Sequence, residues 1–372
     1  MKRILMLNYE FPPLGGGGGV AAKVLAEGFI ENGYQVDYLT SGFEGLAPFE
    51  VVDGINVYRV PVLGRTGLQT ATMISLLSYP LAALMTGIRL CRAHRYEFIN
   101  TQFVVPTGPL GYILSQLFKL PNILSLHGGD IYDPAKKSSP HRHWFLRVAV
   151  RFLLNAADRV IAQSSNTRDN AIRFYQPSKE IEIIPLPYEP ATFAPATRAE
   201  LGLPEGKRLI ISVGRLVARK DLATLLRALA LLPGDVALVI VGDGPERESL
   251  DTLANGLGIS SRVHMPGSVS HEKKFQYLSN ADVYALSSLH EGFGIVIQEA
   301  MQVGLPVVAT NEGGQVDLIK EGVNGYLVPV GDETAFAAAI LRLLDGKPLL
   351  GLTDQLEAFD PRVIAERYSM LK

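Results

Sequence analysis

Short apolar runs alternate with longer segments of helical spacing, and this alternation occurs twice along the chain. The predicted strands are RILMLN, YQVDYLT, INVYRV, FINTQ, NILSLH and RVIAQS in the first half and LIISVG, VALVIVG, RVHMPG, DVYALS and VVAT in the second. Between them, apolar residues recur at intervals of three and four, which predicts helices. Strands that alternate with helices are typical of parallel sheets covered on both faces. The pattern therefore predicts an α/β fold with two doubly wound, Rossmann-like domains.

A proline-rich segment, PLPYEPATFAP, separates the two halves of this pattern. Prolines favour a stiff connection between domains, and a chain of 372 residues is longer than one hydrophobic core usually sustains. We place the first domain at residues 1–189 and the second at 190–353, followed by a C-terminal helix at 354–372 that we expect to cross back to the first domain. Ligands of doubly wound sheets bind at the carboxyl ends of the strands, so we also expect an interdomain cleft.

The composition is that of an ordinary globular enzyme, with 47% hydrophobic and 19% charged residues. A formal net charge of −2 gives no reason to expect a nucleic-acid partner. The one cysteine, Cys91, excludes an internal disulfide and a cysteine zinc site, and it suits a reducing, cytoplasmic environment. We expect Cys91 to be a small buried apolar residue.

Two segments raise the question of a membrane. No charged residue occurs between Arg65 and Arg89, a length of 23 residues that could cross a bilayer. Polar residues and Pro80 favour another interpretation, a buried core helix in two pieces. The segment KKSSPHRHWFLRVAVRFLL mixes basic and aromatic residues. It predicts either a helix at the inner face of an anionic membrane or a core helix with a solvated basic edge, and both interpretations stay open.

Two carboxylates, Glu291 and Glu299, lie around the start of an apolar helix in SSLHEGFGIVIQEAMQV. Gly292 and Gly294 place the start of that helix at Ile295. Even in a continuous helix, the two carboxylates would lie roughly 12 Å apart along the axis, whereas a glycosidase pair works about 5 to 10 Å apart. They therefore indicate separate acceptors for an extended ligand. The alternative is that Glu299 is only a polar position on a half-buried helix.

A glycine run, Gly15–Gly19, follows the first predicted strand, and we predict a loop there. Its backbone N–H groups can meet an anion without side chains in the way. A dinucleotide fingerprint places its glycines immediately after the strand, but YEFPPL intervenes, which argues against a nicotinamide enzyme. A merely flexible loop is the other alternative.

Three further residues follow predicted strands. Arg215 and Lys220 are two positive charges five residues apart, which suits a diphosphate, although basic residues on a loop are often only solvated. His127 ends the strand NILSLH, where a neutral or charged imidazole can bind a sugar hydroxyl or a developing charge. A lone histidine is more often structural.

Six segments occur in an order that resembles family 4 of the retaining glycosyltransferases, which have the GT-B fold. They are YEFPPLGGGGG, SLHGGD, GRLVARKD, VGDGP, EGFGIVIQE and NEGGQVDLI. The Glu-x7-Glu motif is the most specific of them. The resemblance implies that Glu291 binds hydroxyls of the donor sugar and Glu299 the ribose. It further implies that Arg215 and Lys220 hold the diphosphate, and that His127 contacts the donor sugar near its reacting carbon.

The same resemblance implies that backbone groups line the donor site, with the nucleotide base near Val269. The other positions carried over from the motifs are Gly16, Gly17, Gly292, Phe293, Gly294, Ile295 and Val296. Such enzymes need no metal and no cofactor besides their co-substrate, a nucleoside-diphosphate sugar such as a UDP- or GDP-sugar. The expected reaction is transfer of that sugar, with retention, to a sugar or lipid-linked hydroxyl acceptor in the synthesis of polysaccharide, glycolipid or cell-envelope glycan.

Other kinds of protein use a similar site. A nucleotide-sugar epimerase or a sugar phosphorylase needs a comparable cleft, but the order of the motifs favours neither. A non-catalytic sugar-nucleotide-binding module is expected to have lost Glu291, Lys220 or His127, and all three are present. The sequence therefore favours an active glycosyltransferase.

Overall fold

The chain divides into two compact units in the computed structural model, which describes residues 2–68, 71–347, 349 and 352–372. Unit 1 contains Met1–Glu189 and Ala358–Lys372, and unit 2 contains Pro190–Glu357. Each unit is built on a sheet of mainly parallel strands that alternate with helices. The predicted α/β class and the two Rossmann-like domains are therefore confirmed.

The sheet of unit 1 has the strand order β3-β4-β2-β1-β5-β6-β7-β8. Its strands are β1 (Lys2–Leu7), β2 (Tyr34–Ser41), β3 (Phe49–Val52), β4 (Ile55–Val60), β5 (Ile99–Gln102), β6 (Asn122–Leu126), β7 (Arg159–Ala162) and β8 (Ile181–Ile183). Neighbours pair in parallel, except β3 and β4, which pair antiparallel. This hairpin was not predicted from the sequence. Its turn residues, Asp53 and Gly54, both have positive φ (50° and 81°), which an Asp-Gly pair favours.

The helices between these strands cover both faces of the sheet. They are α1 (Gly17–Glu31), α2 (Met73–Ala93), α3 (Gly108–Phe118), α4 (Trp144–Ala156) and α5 (Ser165–Tyr175). Ile4 and Met6 of β1 pack with α1, whereas Leu5 and Leu7 pack with α2 and α3. Because successive side chains of a strand point to opposite faces, α1 and the α2–α3 pair lie on opposite sides of the sheet.

The glycine run is not wholly a loop, which corrects the sequence analysis. Gly17, Gly18 and Gly19 form the first turn of α1. A Cβ atom on Gly18 would lie 2.6 Å from Cζ of Phe103, and one on Gly19 would lie 3.0 Å from Cβ of Glu10. Glycine is a poor helix former, but here its small size lets the helix start approach its neighbours closely.

The segment expected to be a buried helix in two pieces is one helix, α2, which continues through Pro80. Pro80 removes one backbone donor from the interior of the helix. At the start of the helix, reciprocal hydrogen bonds between Thr72 and Ser75 form a cap. With a mean hydropathy of 1.4, α2 is the one helix of the described residues long and apolar enough to cross a membrane, by length and composition alone. Only 28% of its apolar window is buried, so α2 packs on the core through one side and is not the buried helix that was expected.

The sheet of unit 2 has the order β11-β10-β9-β12-β13-β14, and its neighbouring strands pair in parallel. The strands are β9 (Arg208–Val213), β10 (Val236–Val241), β11 (Val263–Gly267), β12 (Val283–Leu286), β13 (Val307–Thr310) and β14 (Gly325–Val328). The helices are α6 (Leu222–Leu231), α7 (Arg247–Gly256), α8 (His271–Ser279), α9 (Ile295–Gln302) and α10 (Glu333–Asp345). Strand β10 is buried along its whole length, as expected of a parallel strand with helices on both faces.

The chain returns to unit 1 at its C-terminal end, where α11 (Pro361–Ser369) packs on α1. A Cβ atom on Gly28 of α1 would lie 2.1 Å from the Pro361 carbonyl oxygen, so the two helices meet backbone to backbone. Tyr368 is buried, and its hydroxyl lies 3.0 Å from Ser125 Oγ of β6. Helix α11 therefore contributes to the core of unit 1.

Candidate active site

In unit 2 a buried carboxylate, Glu291, accepts two hydrogen bonds and forms an ion pair with a further cation. Lys220 Nζ is 2.7 Å from Oε1, Ser288 Oγ donates to the same oxygen at 2.7 Å, and Arg219 Nη1 lies 3.1 Å from Oε2. Burial acts to raise the pKa of Glu291, but the charges of Lys220 and then Arg219 outweigh it and lower the pKa to about 2. The carboxylate is therefore ionised at neutral pH.

Two strand-end loops hold this cluster. Arg219 and Lys220 follow β9, and Glu291 follows β12, which is a neighbour of β9 in the sheet. Leu289 N donates to Arg219 O at 2.8 Å, and Ser287 Oγ donates to Lys220 O at 2.9 Å. Because the carboxyl ends of adjacent parallel strands lie at the same edge, these bonds keep the three charges together.

A glycine pair after β13 packs directly against the Glu291 loop. Gly314 N donates to Glu291 O at 2.7 Å. A Cβ atom on Gly313 would lie 2.6 Å from Glu291 N, and one on Gly314 would lie 2.2 Å from Gly292 O. Gly313 also has a φ of 103°, which other residues rarely adopt. A side chain at either position would displace Glu291.

Glu299 is buried on α9, with 7% of the residue exposed. Lys274 Nζ of α8 lies 2.5 Å from its Oε1. Its Oε2 is buried and has no hydrogen-bond partner among the residues that the structure describes. An unpaired buried acceptor is costly, so this oxygen is suited to accept hydrogen bonds from a ligand.

Helix α9 begins at Ile295, as Gly292 and Gly294 predict. Gly294 precedes the helix with a φ of 107° and supplies no side-chain cap. The N–H groups of Ile295 and Val296 lie in the first turn and have no acceptor within the helix. Phe293 of the same loop is buried. Because a helix N-terminus carries partial positive charge, this end of α9 favours an anion.

Two predicted binding residues take no part in these contacts. Arg215 is exposed, and in the described part of the chain its side chain forms no ion pair. The arginine beside Glu291 is Arg219, which lies in the short turn Ala218–Lys220. Val269 is half-buried in the loop between β11 and α8. The arginine of the charged cluster thus differs from the one that the sequence analysis selected.

In unit 1 the imidazole of His127 is held at both ring nitrogens. Its Nε2 lies 2.6 Å from Gln102 Oε1, and Gln163 Nε2 lies 2.5 Å from its Nδ1. Because an amide nitrogen donates and an amide oxygen accepts, the ring proton is on Nε2. Burial lowers the pKa of His127 to about 3, so the ring is neutral. Phe103 stacks on it with 3.8 Å between ring centroids.

Asp130 ties together the two loops that hold His127. Its carboxylate oxygens accept from Val104 N at 2.7 Å and from His127 N at 2.9 Å. Burial raises the pKa of Asp130 to about 6, although these two bonds oppose the change. The loops after β5 and β6 are therefore joined by one buried side chain.

The N-terminal end of α1 lies next to His127, because a Cβ atom on Gly18 would be 3.5 Å from the ring Nδ1. Gly16 and Gly17 are exposed, and a Cβ atom on Gly16 would meet no atom within 4 Å. Gly16 N donates to Glu10 Oε2 at 3.1 Å. Burial raises the pKa of Glu10, and the bond from Gly16 opposes this. The end of α1 therefore already accommodates one carboxylate of the protein itself.

Several residues that contact the predicted ones were not predicted from the sequence. They are Arg219, Lys274, Gln102, Gln163 and Asp130. Two of them could have been found, because Gln102 is the last residue of the predicted strand FINTQ and Gln163 the last but one of RVIAQS. Those two strands flank the one that leads to His127. In the described ranges, no group of three or more His, Cys, Asp or Glu side chains is placed to hold a metal ion.

Family comparisons agree with this division of the chain. Residues 16–187, in unit 1, match the model of the glycosyl transferase 4-like domain. Residues 194–356, in unit 2, match the model of the group 1 glycosyl transferases. With its two Rossmann-like domains, the chain therefore belongs to the glycosyltransferases of the GT-B type.

Several relatives are similar over most of their length. The uncharacterized glycosyltransferase MJ1607 of Methanocaldococcus jannaschii is 28% identical, over 92% of this chain and 89% of the relative. The D-inositol 3-phosphate glycosyltransferase of Xylanimonas cellulosilytica is 28% identical, over 93% and 89%. Among solved structures, sucrose-phosphate synthase from Thermosynechococcus elongatus has a TM-score of 0.85 at 25% identity, covering 100% of this chain and 98% of that chain. Anabaena HepE, solved with UDP and glucose, has a TM-score of 0.76 at 23% identity, covering 100% and 99%, and shares the fold.

Proposed function

We propose that the protein transfers a sugar from a nucleoside-diphosphate sugar to a hydroxyl acceptor, with retention and without a metal ion. The observation that carries the proposal is the ionised Glu291 held by Lys220 and Arg219 just before α9. This arrangement combines an acceptor for sugar hydroxyls with cations for a diphosphate. The donor class is supported by proteins of the same fold, since HepE was solved with UDP-glucose and starch synthase IV of Arabidopsis thaliana with ADP.

Glu291 keeps room for a sugar hydroxyl. An ionised carboxylate has about four acceptor positions. Oε1 accepts from Lys220 and Ser288, whereas among the described residues the one charged partner of Oε2 is Arg219. One position on Oε2 is therefore available to the donor sugar.

The leaving diphosphate is bound by cations and by the start of α9. Lys220 has three N–H donors, of which Glu291 uses one. Negative charge gathers on the diphosphate as it leaves, and charges that are already in place stabilise it without reorganising. In our proposal the N–H groups of Ile295 and Val296 and the exposed Arg215 complete this part of the site.

The nucleoside is bound further along α9. The unpaired Oε2 of Glu299 accepts from the ribose hydroxyls, and Lys274 keeps the carboxylate in position through Oε1. The base lies against the backbone near Val269. An extended ligand of this kind uses both carboxylates of the Glu-x7-Glu motif without requiring them to act as a pair.

In unit 1 we assign His127, Gly16 and Gly17 to the donor sugar and its phosphate. Both nitrogens of His127 are occupied by glutamines. His127 therefore serves the reaction by its shape and neutrality, and not as an acid or a base. In the reaction the bond from the sugar carbon to the diphosphate breaks, and its electron pair leaves with the diphosphate. The acceptor oxygen bonds to the same face of the sugar, and its proton passes to the leaving oxygen.

The proposal is tested with a panel of UDP- and GDP-sugars. A donor at about 100 times its Kd raises the free energy of unfolding by about 2.7 kcal/mol, so one nucleotide-sugar should raise the Tm while free sugars do not. Proton NMR of the product should then show the anomeric configuration of the donor. A panel without any Tm shift would contradict the donor class, and an inverted product would contradict retention.

A further inference from the structure

Helix α2 exposes a row of large apolar side chains. Its members are Met73, Ile74, Leu77, Leu81 and Met85, which are between 56% and 76% exposed. At 100° per residue they form one stripe, because i, i+4 and i+8 lie on the same face of a helix. Single exposed apolar residues are normal, but a contiguous row marks an interaction surface.

The row cannot be explained by α2 crossing a bilayer. The opposite side of the helix is bonded to the sheet of unit 1. Tyr79 Oη donates to Leu39 O at 2.7 Å, and Tyr9 Oη donates to Ser75 Oγ at 2.7 Å. Both tyrosines are buried. The helix is thus one layer of a folded domain, with only its outer side available to a partner.

Helix α4 continues this surface. It exposes Trp144, Phe145, Val148 and Phe152, which are between 51% and 77% exposed. Helix α3 lies between α2 and α4: a Cβ atom on Gly87 of α2 would be 2.6 Å from Leu114 of α3, and Tyr112 of α3 contacts Phe152 with ring centroids 5.0 Å apart. Leu117 of α3 is 60% exposed. We call the exposed rows of α2 and α4, with Leu117, the α2–α4 face.

The charges carried by α2, α3 and α4 have one sign, although the exposed Asp158 just after α4 lines one surface pocket with Lys119. The sequences of α2, α3 and α4 contain no Asp or Glu. Exposed basic residues on or beside the helices are Arg89, Arg92, Lys119, Arg147 and Arg151. The acidic residues elsewhere in 71–156 are withdrawn from this face, because Asp130 and Asp133 are buried and Glu97 pairs with Lys372 at 2.5 Å.

We infer that the α2–α4 face docks on the surface of an anionic phospholipid bilayer. Apolar and aromatic side chains enter the interface between headgroups and acyl chains, while arginines and lysine bind the lipid phosphates. A second copy of the chain is a less suitable occupant. A two-fold interface brings a patch against itself, so it would place these basic residues against one another. The inference is independent of the proposed donor, because docking needs no turnover.

The experiment is sedimentation of the full chain with vesicles, in the absence of any nucleotide-sugar. Vesicles of phosphatidylcholine containing phosphatidylglycerol should carry the protein into the pellet at low salt, and vesicles of phosphatidylcholine alone should leave it in the supernatant. High salt should release it, because the charges are screened. The double variant L77D/L81D should bind the anionic vesicles at least roughly tenfold more weakly than the wild type. The control L231D changes an equally apolar residue of unit 2, 56% exposed, and should bind normally.

A second double variant tests the inference independently, in case L77D/L81D does not fold. R89E/R151E leaves the apolar rows intact and should also reduce binding roughly tenfold or more. Circular dichroism and the Tm identify a variant that has not folded. The inference is overturned if the wild type stays in the supernatant with both vesicles, or if both double variants sediment like the wild type. It is also overturned if size-exclusion chromatography shows a dimer that L77D/L81D dissociates and no lipid binding occurs.

Discussion

The candidate sites of the two units hold their residues by different means. In unit 2 the side chains are charged and paired, with Glu291 between Lys220 and Arg219 and Glu299 beside Lys274. In unit 1 the central side chain, His127, is neutral and is held by two amides and an aromatic ring. Both sites lie at the carboxyl ends of parallel strands, so the shared fold does not cause this difference.

Because of this difference, we expect the two units to contribute to the reaction in different ways. Paired charges in a buried place are already oriented, so they can stabilise a developing charge without reorganising. A neutral imidazole in a buried network instead offers a fixed shape and does not repel a cationic sugar intermediate. The charge balance of the reaction is thus expected to depend on unit 2, and substitutions there should have the larger effect on turnover.

The largest effect is expected for Lys220→Ala. Loss of a cation that stabilises the leaving diphosphate should lower kcat by roughly 10²- to 10³-fold. It also leaves Glu291 buried with one cation fewer, which should lower the Tm. The control is Lys273→Ala, an exposed lysine of α8 that forms no ion pair with any residue the structure describes. A double variant, Lys220→Met with Glu291→Gln, should recover stability but not turnover. Recovery of both would show that Lys220 has only a structural role.

The next effect is a dependence of stability on pH that belongs to Glu291. Its pKa is lowered in the folded protein from 4.5 to about 2. This shift contributes about 3 kcal/mol of stability at neutral pH, which is lost as the pH falls from 4.5 towards 2. The free energies of unfolding of the wild type and of Glu291→Gln, measured in urea, should therefore become more similar over that range. If the difference in free energy of unfolding between the two proteins were the same at pH 7 and pH 3, Glu291 would not be a charged partner of Lys220 and Arg219.

A smaller effect is expected for Glu299→Gln. The amide keeps the shape but loses a charged acceptor for the ribose, so the KM for the donor should rise roughly tenfold with little change in kcat. Glu248→Gln, an exposed carboxylate of α7, is the matched control. A change in kcat with an unchanged KM would place Glu299 outside the nucleoside site.

The smallest expected effect is on the titration of the His127 ring. With a pKa of about 3, its ring should show no titration between pH 5 and pH 8 in NMR spectra of the wild type. Gln163→Glu places a carboxylate beside Nδ1, which favours a proton there and should bring the titration into this range. A wild-type ring that titrates near pH 6.5 would remove the contrast between the two units.

Local patterns explain what the sequence could predict. Gly292 and Gly294 disfavour a helix, so the start of α9 and the place of Glu299 on it followed directly. Buried parallel strands read as apolar runs, and β10 is an example. Lys220 follows a predicted strand, and its place near the carboxyl edge of the sheet needs no more than the α/β pattern.

Contacts that depend on turn geometry or on neighbouring elements were not predictable in this way. Arg215 and Arg219 occupy the same loop, and only the turn Ala218–Lys220 decides which of them meets Glu291. The glycines of α1 looked like a loop because their tight fit against Phe103 is a tertiary effect. The apolarity of α2 was visible, but whether neighbouring elements cover its outer side was not.

The last helix has a consequence for how the protein is made. Ile364, Ala365 and Tyr368 of α11 belong to the core of unit 1, which otherwise consists of residues from the beginning of the chain. During synthesis these residues emerge from the ribosome after the whole of unit 2. Unit 2 is continuous in sequence, so its core can form before α11 has been made. The core of unit 1 is complete only after α11 has been added. A released chain that is truncated after residue 357 should therefore resist proteolysis in unit 2 more than in unit 1.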